Sequence, residues 1–438
     1  MSGQNRYPIL DPCQDCALIG VARALIGIRD AVLIVHGRLG CYSGCIGLCS
    51  LCSSHANLNI TYSGLRSEDM TFGGEKRLEN AIKHVERVLK PKLIVVATTT
   101  STEIIGDNVE DIISSIKTNA KIIHVRASGY TKPEWQGYEE VLMKLADLVK
   151  DTDEKDPDAV NIIGFRPDMP HWYADLLEIK RILESCEIRI NTVISWCSVE
   201  DIENMARASL NVCLGGDGLF LCEVLWRRFK IPYIVVPYPY GIKNTIELIE
   251  KTCKKLNKNP NNKFIEEEIK FVEDVMRHNL FYVSGVYRNL SAAIIGESSR
   301  VFYLARFLHD ELGIDVDLVC VRCRNAMTEQ LCQEYSNYGF KILIEPDRYV
   351  FEKELENLDV EVIYGSTYDR LIALKLGIGL VRLFYPSLDE VSLGTSPVAG
   401  IRGSLTIIEK TINEIFRLQE KRELAYLAKI NSTRFTSP

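Results

Sequence analysis

No stretch of this chain stays apolar for the ~18 residues that a bilayer-spanning helix needs. The opening Met1 to Pro8 is polar and holds no hydrophobic core of a secretory signal. Both absences point away from membranes and towards a reducing cytoplasm. Basic residues are in the minority: 52 Lys and Arg stand against 59 Asp and Glu, for a net charge of −7. No basic stripe appears, which argues against nucleic acid as a partner. No G-x-G-x-x-G follows a predicted strand and no G-x-x-x-x-G-K-[ST] occurs, so P-loop nucleotide hydrolysis is not expected. No Ser–His–Asp or Cys–His arrangement can be assembled, and paired acids such as Glu110-Asp111 read as solvated helix faces.

What the chain does hold is cysteine. Of its 14 cysteines, six fall in the first 52 residues: Cys13, Cys16, Cys41, Cys45, Cys49 and Cys52. In a reducing compartment such crowding means metal or catalysis more often than disulfides. Cys41 follows the apolar run Ala31–Val35 and the turn His36-Gly37-Arg38-Leu39-Gly40. Thiolates on glycine-rich backbone at a strand-to-loop junction suit a soft metal or an iron–sulfur cluster. The spacing Cys41-x3-Cys45-x3-Cys49 puts three sulfurs on one face of a helix. Cys13-x2-Cys16 and Cys49-x2-Cys52 also fit the paired pattern of structural zinc. A four-iron cluster, zinc and inert buried thiols all remain open at this point. The ferredoxin spacing C-x2-C-x2-C-x3-C-P is absent. His36 reads as a supporting hydrogen-bonding group. Arg38 reads either as a surface residue or as a countercharge to thiolates.

Short apolar runs alternate with helical patterns along the whole chain. Ala31–Val35, Leu93–Ala97 and Lys121–Val125 form one set, with a helix over Glu75–Lys90 that presents Leu78, Ile82, Val85 and Leu89. Ala159–Gly164, Arg189–Ser195, Leu210–Leu214 and Tyr233–Val236 form a second. Ser291–Gly296, Asp315–Val321, Phe340–Glu345, Val360–Tyr364 and Leu380–Phe384 form a third, closed by a helix from Ser404 to Arg422. Polar breaks at 151–158 and 254–262 separate the sets. The expected fold is α/β, with three Rossmann-like, doubly wound parallel sheets around a central cleft. The expected domains are 1–150, with the cysteine-rich segment, 151–262, and 263–438, with a connecting helix and the closing helix. Ligands in such sheets lie at the carboxyl ends of strands.

Several segments in succession then become specific. Asp15-Cys16-Ala17-Leu18-Ile19-Gly20 leads to His36-Gly37-x-x-Gly40-Cys41. Glu68-Asp69-Met70-Thr71-Phe72-Gly73-Gly74-Glu75 and Thr98-Thr99-Thr100-Ser101-Thr102-Glu103 follow. Ala293-Ile294-Ile295-Gly296, Leu383-Phe384-Tyr385-Pro386 and Gly400-Ile401-Arg402-Gly403 come later. In order and spacing this resembles the nitrogenase component 1 family, with a β-type tail. That family includes the subunits of the molybdenum–iron protein, its cofactor-assembly scaffold, light-independent chlorophyll-pathway reductases and a nickel-tetrapyrrole reductive cyclase.

The resemblance implies an oxidoreductase subunit taking electrons from a separate ATP-dependent iron protein to reduce a substrate or bound cofactor. The alternatives are a non-catalytic scaffold for metallocluster assembly and a tetrapyrrole reductase-type subunit. It implies an α-like partner in a 2+2 heterotetramer, with a homodimer as the rival. Cys16 and Cys41 match the first two cluster cysteines, beside Gly40. The third position is Thr100, and a hydroxyl is a poor iron ligand beside a thiolate. The missing sulfur would come from Cys45, Cys49 or Cys52, or from the partner. A four-iron cluster is therefore expected ahead of an eight-iron one. The family's second site, for a metallocluster or tetrapyrrole, maps near Gly215 and Tyr385, with Cys213 close by as a core thiol.

Overall fold

Runs that are apolar from end to end, such as Ala31–His36 and Leu93–Thr98, are the mark of parallel strands covered on both faces. In the computed structural model, which describes residues 16–52, 59–287 and 290–434, they build three parallel sheets. The first unit holds β1 (Ile28–Arg29), β2 (Ala31–His36), β3 (Asn59–Tyr62), β4 (Leu93–Thr98) and β5 (Lys121–Arg126), with sheet order β3-β2-β4-β5. The second holds β6 (Asp156–Ile163), β7 (Arg189–Val193), β8 (Cys197–Ser198), β9 (Ala208–Leu214) and β10 (Tyr233–Val236), in the order β10-β9-β6-β7. The third holds β11 (Ser291–Glu297), β12 (Asp315–Cys323), β13 (Lys341–Ile344), β14 (Val362–Gly365) and β15 (Gly379–Arg382), in the order β13-β12-β11-β14-β15. The short strand β1 pairs with β8 and straps the first unit to the second.

The helix Glu75–Leu89 lays Leu78, Ile82 and Val85 on the first sheet. Leu89 departs from that stripe and is exposed, because the helix stops there with Lys90 in the left-handed conformation. The polar break after residue 150 is shorter than its composition suggests: β6 starts at Asp156, whose carboxylate pairs with Arg189 at 2.8 Å. Among the described residues no helix is long and apolar enough to cross a membrane.

The three units meet on a buried set of charges. The helix Ala17–Leu25 is buried along its whole length and carries one charged residue, Arg23. A guanidinium in that position must be fully paired. It donates to Glu134 at 3.2 Å, to Glu297 at 3.0 Å and to Asp168, so it reaches all three units. Arg166 lies 3.3 Å from Asp217 and 3.8 Å from Glu134. Asn325 of the third unit donates to Asp217 at 2.7 Å, and the Cys323 thiol to Glu134 at 3.0 Å. Burial pushes the Asp168 carboxyl up. The guanidiniums of Arg23 and Arg166 outweigh that push and hold it below the ordinary carboxylate range. Next to this centre, Glu139 accepts the Gly218 N–H at 2.6 Å, and burial raises its carboxyl to about 8.

Arg23→Met strands three buried carboxylates and should destabilise the fold by ~3–5 kcal/mol. Arg189→Met on the exposed Asp156 pair should cost under ~1 kcal/mol. Urea midpoints measure both. The folded chain keeps the Glu139 proton up to about 8, whereas the unfolded chain releases it near ~4.3. Stability should therefore fall as pH rises between those values. Glu139→Gln should flatten that part of the stability–pH profile, and an unchanged slope would contradict the assignment.

Candidate iron–sulfur edge of the first sheet

Parallel strands deliver their following loops to one edge. At the carboxyl edge of the first sheet, β2 ends at His36 and runs into the helix Leu39–Cys52, with Cys41 in its first turn. Next to it, β4 ends at Thr98 and runs into the helix Thr100–Ile105. Cys16 caps the amino end of the helix Ala17–Leu25 and bridges to Pro133. The three positions implied by the resemblance, Cys16, Cys41 and Thr100, thus come to one edge.

His36 does not face this edge openly. It is fully buried, with Nδ1 at 2.9 Å from Ser63 Oγ and Nε2 at 3.0 Å from Asp107. Burial lowers its pKa against the pull of Asp107. The other Asp107 oxygen takes the Gly74 N–H at 2.9 Å. Three separated sequence motifs, 36–37, 73–75 and 106–108, are thereby pinned together. Thr102 and Thr99 both donate to the His36 carbonyl, which fixes the threonine loop against the end of β2.

Arg38, Leu39, Gly40, Cys41, Met70, Thr100, Ser101 and Ile104 line an open cavity of about 650 Å³. Cys41 is exposed on its wall. Burial raises the Cys41 thiol, and the neighbouring charge of Cys16 raises it further, so the two sulfurs feel each other. A Cβ at position 129 would lie 2.6 Å from the Cys16 Cβ; glycine there leaves the cysteine its space. Thr100 Oγ is 3.1 Å from Ser128 Oγ. The surface nearby is apolar and exposed at Leu39, Phe72, Ile104 and Tyr130, with Phe72 at 88% and Tyr130 at 91% of full exposure.

The remaining cysteines of the segment part company. Cys45 and Cys49 lie in the core beneath the helix Ala17–Leu25, and the Cys45 thiol donates to the Leu18 carbonyl at 3.8 Å. Helical spacing does bring them below Cys41, but the covering helix takes their face, and neither lines the cavity. Cys52 ends the helix and its side chain lies outside the described residues, as does all of Cys13. Among the described residues no three His, Cys, Asp or Glu side chains converge on one point as around a metal ion.

At the junction of the three units the expected cleft is filled. Gly215, at φ +67°, sits so close to Ser299 that a Cβ would come within 2.5 Å of it. The Arg23 guanidinium lies 3.7 Å over the Tyr385 ring. The space left among Arg23, Gly296, Glu297, Arg322, Cys323 and Tyr385 is about 10 Å³. That is room for about one water, so neither a metallocluster nor a tetrapyrrole fits in the space beside Tyr385. Sequence reading missed this plug. Its signal was one arginine inside the apolar run Ala17–Ile28.

The family model for nitrogenase component 1 type oxidoreductase matches residues 16–416. The chain belongs to that family. It is 24% identical to the nitrogenase molybdenum-iron protein beta chain of Methanothermobacter marburgensis, over 94% of this chain and 96% of that one. It is 25% identical to the vanadium-iron protein beta chain of Trichormus variabilis, over 94% and 95%. The iron-molybdenum cofactor biosynthesis protein NifE of Clostridium pasteurianum is 27% identical over 83% of this chain and 80% of its own. The solved nitrogenase Cp1 superposes with a TM-score of 0.82 at 22% identity, covering 96% of each chain, which establishes the shared fold.

If Cys16 and Cys41 adjoin as described, replacing Cys16 by Ser removes the charge that opposes the Cys41 thiolate. In metal-free protein, alkylation of Cys41 should then shift to lower pH, as followed by mass spectrometry. An unchanged pH midpoint would show that the two sulfurs are apart.

Proposed function

We propose that this chain is the β-type half of an iron–sulfur oxidoreductase, holding one side of a cluster at Cys16 and Cys41. The observation that carries this reading is Cys41, exposed on the wall of an open cavity, with the Cys16 thiol near enough to raise its pKa and exposed apolar residues around it. Two thiols fall short of the usual four protein ligands of a four-iron cluster. The open side of the cavity suits a partner chain that brings the remaining sulfurs and covers Leu39, Phe72, Ile104 and Tyr130. An α-like subunit is that partner, in a 2+2 assembly, and a second copy of the chain is the rival. A cluster bound there supplies one-electron transfer at low potential, fed by a separate ATP-dependent iron protein.

The chain's own residues set the conditions. Cys16 and Cys41 give up their protons to bind, which the mutual repulsion of the bare thiolates otherwise opposes. Arg38, on the same cavity wall, offers a countercharge. His36, Asp107 and the threonine loop hold the strand ends in place. The filled junction favours a role without a reaction chamber in this chain, so reduction of a substrate belongs to the partner. The same filling also fits the second reading, an assembly scaffold that passes a cluster on.

Anaerobic preparation of the chain with its companion subunit should give brown protein with roughly four irons per cluster site. Cys41→Ala should remove the colour while leaving the far-ultraviolet circular dichroism intact, and Cys320→Ala, at a buried thiol of β12 in the third unit, should keep both. Electron uptake during ATP turnover with an iron protein supports the reductase. Transfer of the cluster to an acceptor protein supports the scaffold.

A further inference from the structure

Among the described residues that line the open cavity at the first sheet's edge, sulfur occurs twice: at Cys41 and at Met70. Met70 is half-buried and belongs to the short helix Asp69–Phe72. That helix is pinned on both sides. Ahead of Met70, the Arg66 N–H donates to the Asp69 carboxylate at 2.7 Å, and Arg77 Nε donates to it at 3.1 Å. Behind it, the Gly73 N–H closes the turn on the Asp69 carbonyl at 2.9 Å, and the Gly74 N–H reaches Asp107 at 2.9 Å. The same Asp107 carboxylate holds His36, which ends the strand leading to Cys41. The segments that carry the two sulfurs are thus tied to one anchor. Thr100 stands on the same cavity wall, and its hydroxyl lies 3.1 Å from that of Ser128. Cys45 and Cys49 are in the core and reach no part of the wall.

We infer that Met70 is this chain's third sulfur donor to an iron–sulfur cluster, its thioether standing in for the sulfur that Thr100 lacks. The inference rests on the reading of this edge as a cluster site. A thioether is a soft donor, as a thiolate is, and suits the iron of such a cluster better than a hydroxyl does. Three rotatable bonds let the methionine side chain settle onto a metal while its backbone stays fixed. The thioether is also neutral. Cys41 already feels the charge of Cys16, and a third thiolate would add to that repulsion, whereas Met70 adds a ligand and no charge. It releases no proton when it binds. A cluster held by two thiolates and a thioether carries one negative charge fewer than one held by three thiolates. Less negative charge on the cluster raises its reduction potential. The partner chain then has one ligand position left to fill on a four-iron cluster.

The test uses the anaerobically isolated complex of the chain with its companion subunit, as wild type, Met70→Leu and Met70→Cys. Leucine keeps the volume and the apolar character of methionine, so the fold is spared. Met70→Leu should lose cluster iron to a chelator at least about tenfold faster than wild type. Met70→Cys supplies a thiolate instead. It should hold iron at least as long as wild type, with a midpoint potential shifted downwards in an EPR-monitored titration. A packing role would not produce that split between the two variants. A second readout needs no variant. With selenomethionine at the 7 methionines of this chain, selenium X-ray absorption fine structure should show an iron neighbour. Iron bound at Cys41 with no selenium–iron shell, or with equal iron loss in all three proteins, overturns the inference and leaves the cluster reading standing. Wild type with no iron at Cys41 overturns both.

Discussion

Arg23 is the constraint on which the rest of the molecule turns. A single guanidinium on a helix buried from Ala17 to Leu25 draws Glu134, Asp168 and Glu297 together from three separate units. Desolvating these groups is expensive, and only their mutual pairing offsets it. The arrangement therefore tolerates little relative movement of the sheets. It also occupies the place where a fold of this type would otherwise keep a chamber, with Tyr385 stacked on the guanidinium and Gly215 pressed against Ser299.

That plug moves the chemistry to the rim. The same helix that carries Arg23 inward carries Cys16 at its amino end, so the lock at the centre also sets the position of one sulfur at the edge. Cys41 comes from the neighbouring strand end, held by the His36–Asp107 pair. The resulting site is half a site: two thiols, an open cavity and apolar residues exposed around it. On the proposed reading, a protein built this way is one wall of a centre shared with a partner.

Strands buried on both faces were plain in the sequence, because Ala31–His36, Leu93–Thr98 and Ser291–Glu297 need nothing but continuous apolar residues. Polar edges were not. Asn59–Tyr62 forms β3 with half-buried side chains and no hydrophobic run, and β1 and β8 hold two residues each. At the carboxyl edge of the first sheet, the family resemblance pointed to Cys16, Cys41 and Thr100, and the elements that carry them end there. Spacing alone could not reveal that the face shared by Cys45 and Cys49 is roofed by another helix. The plug depends on contacts between residues 23, 134, 168, 217 and 297, which no local pattern records.

The most direct measurement is an anomalous-scattering map at the iron edge, from crystals of the anaerobically isolated chain with its companion subunit. The account predicts iron between Cys16 and Cys41, where the cavity opens, and none at the junction around Arg23. Iron at that junction, or none beside Cys16 and Cys41, would contradict it.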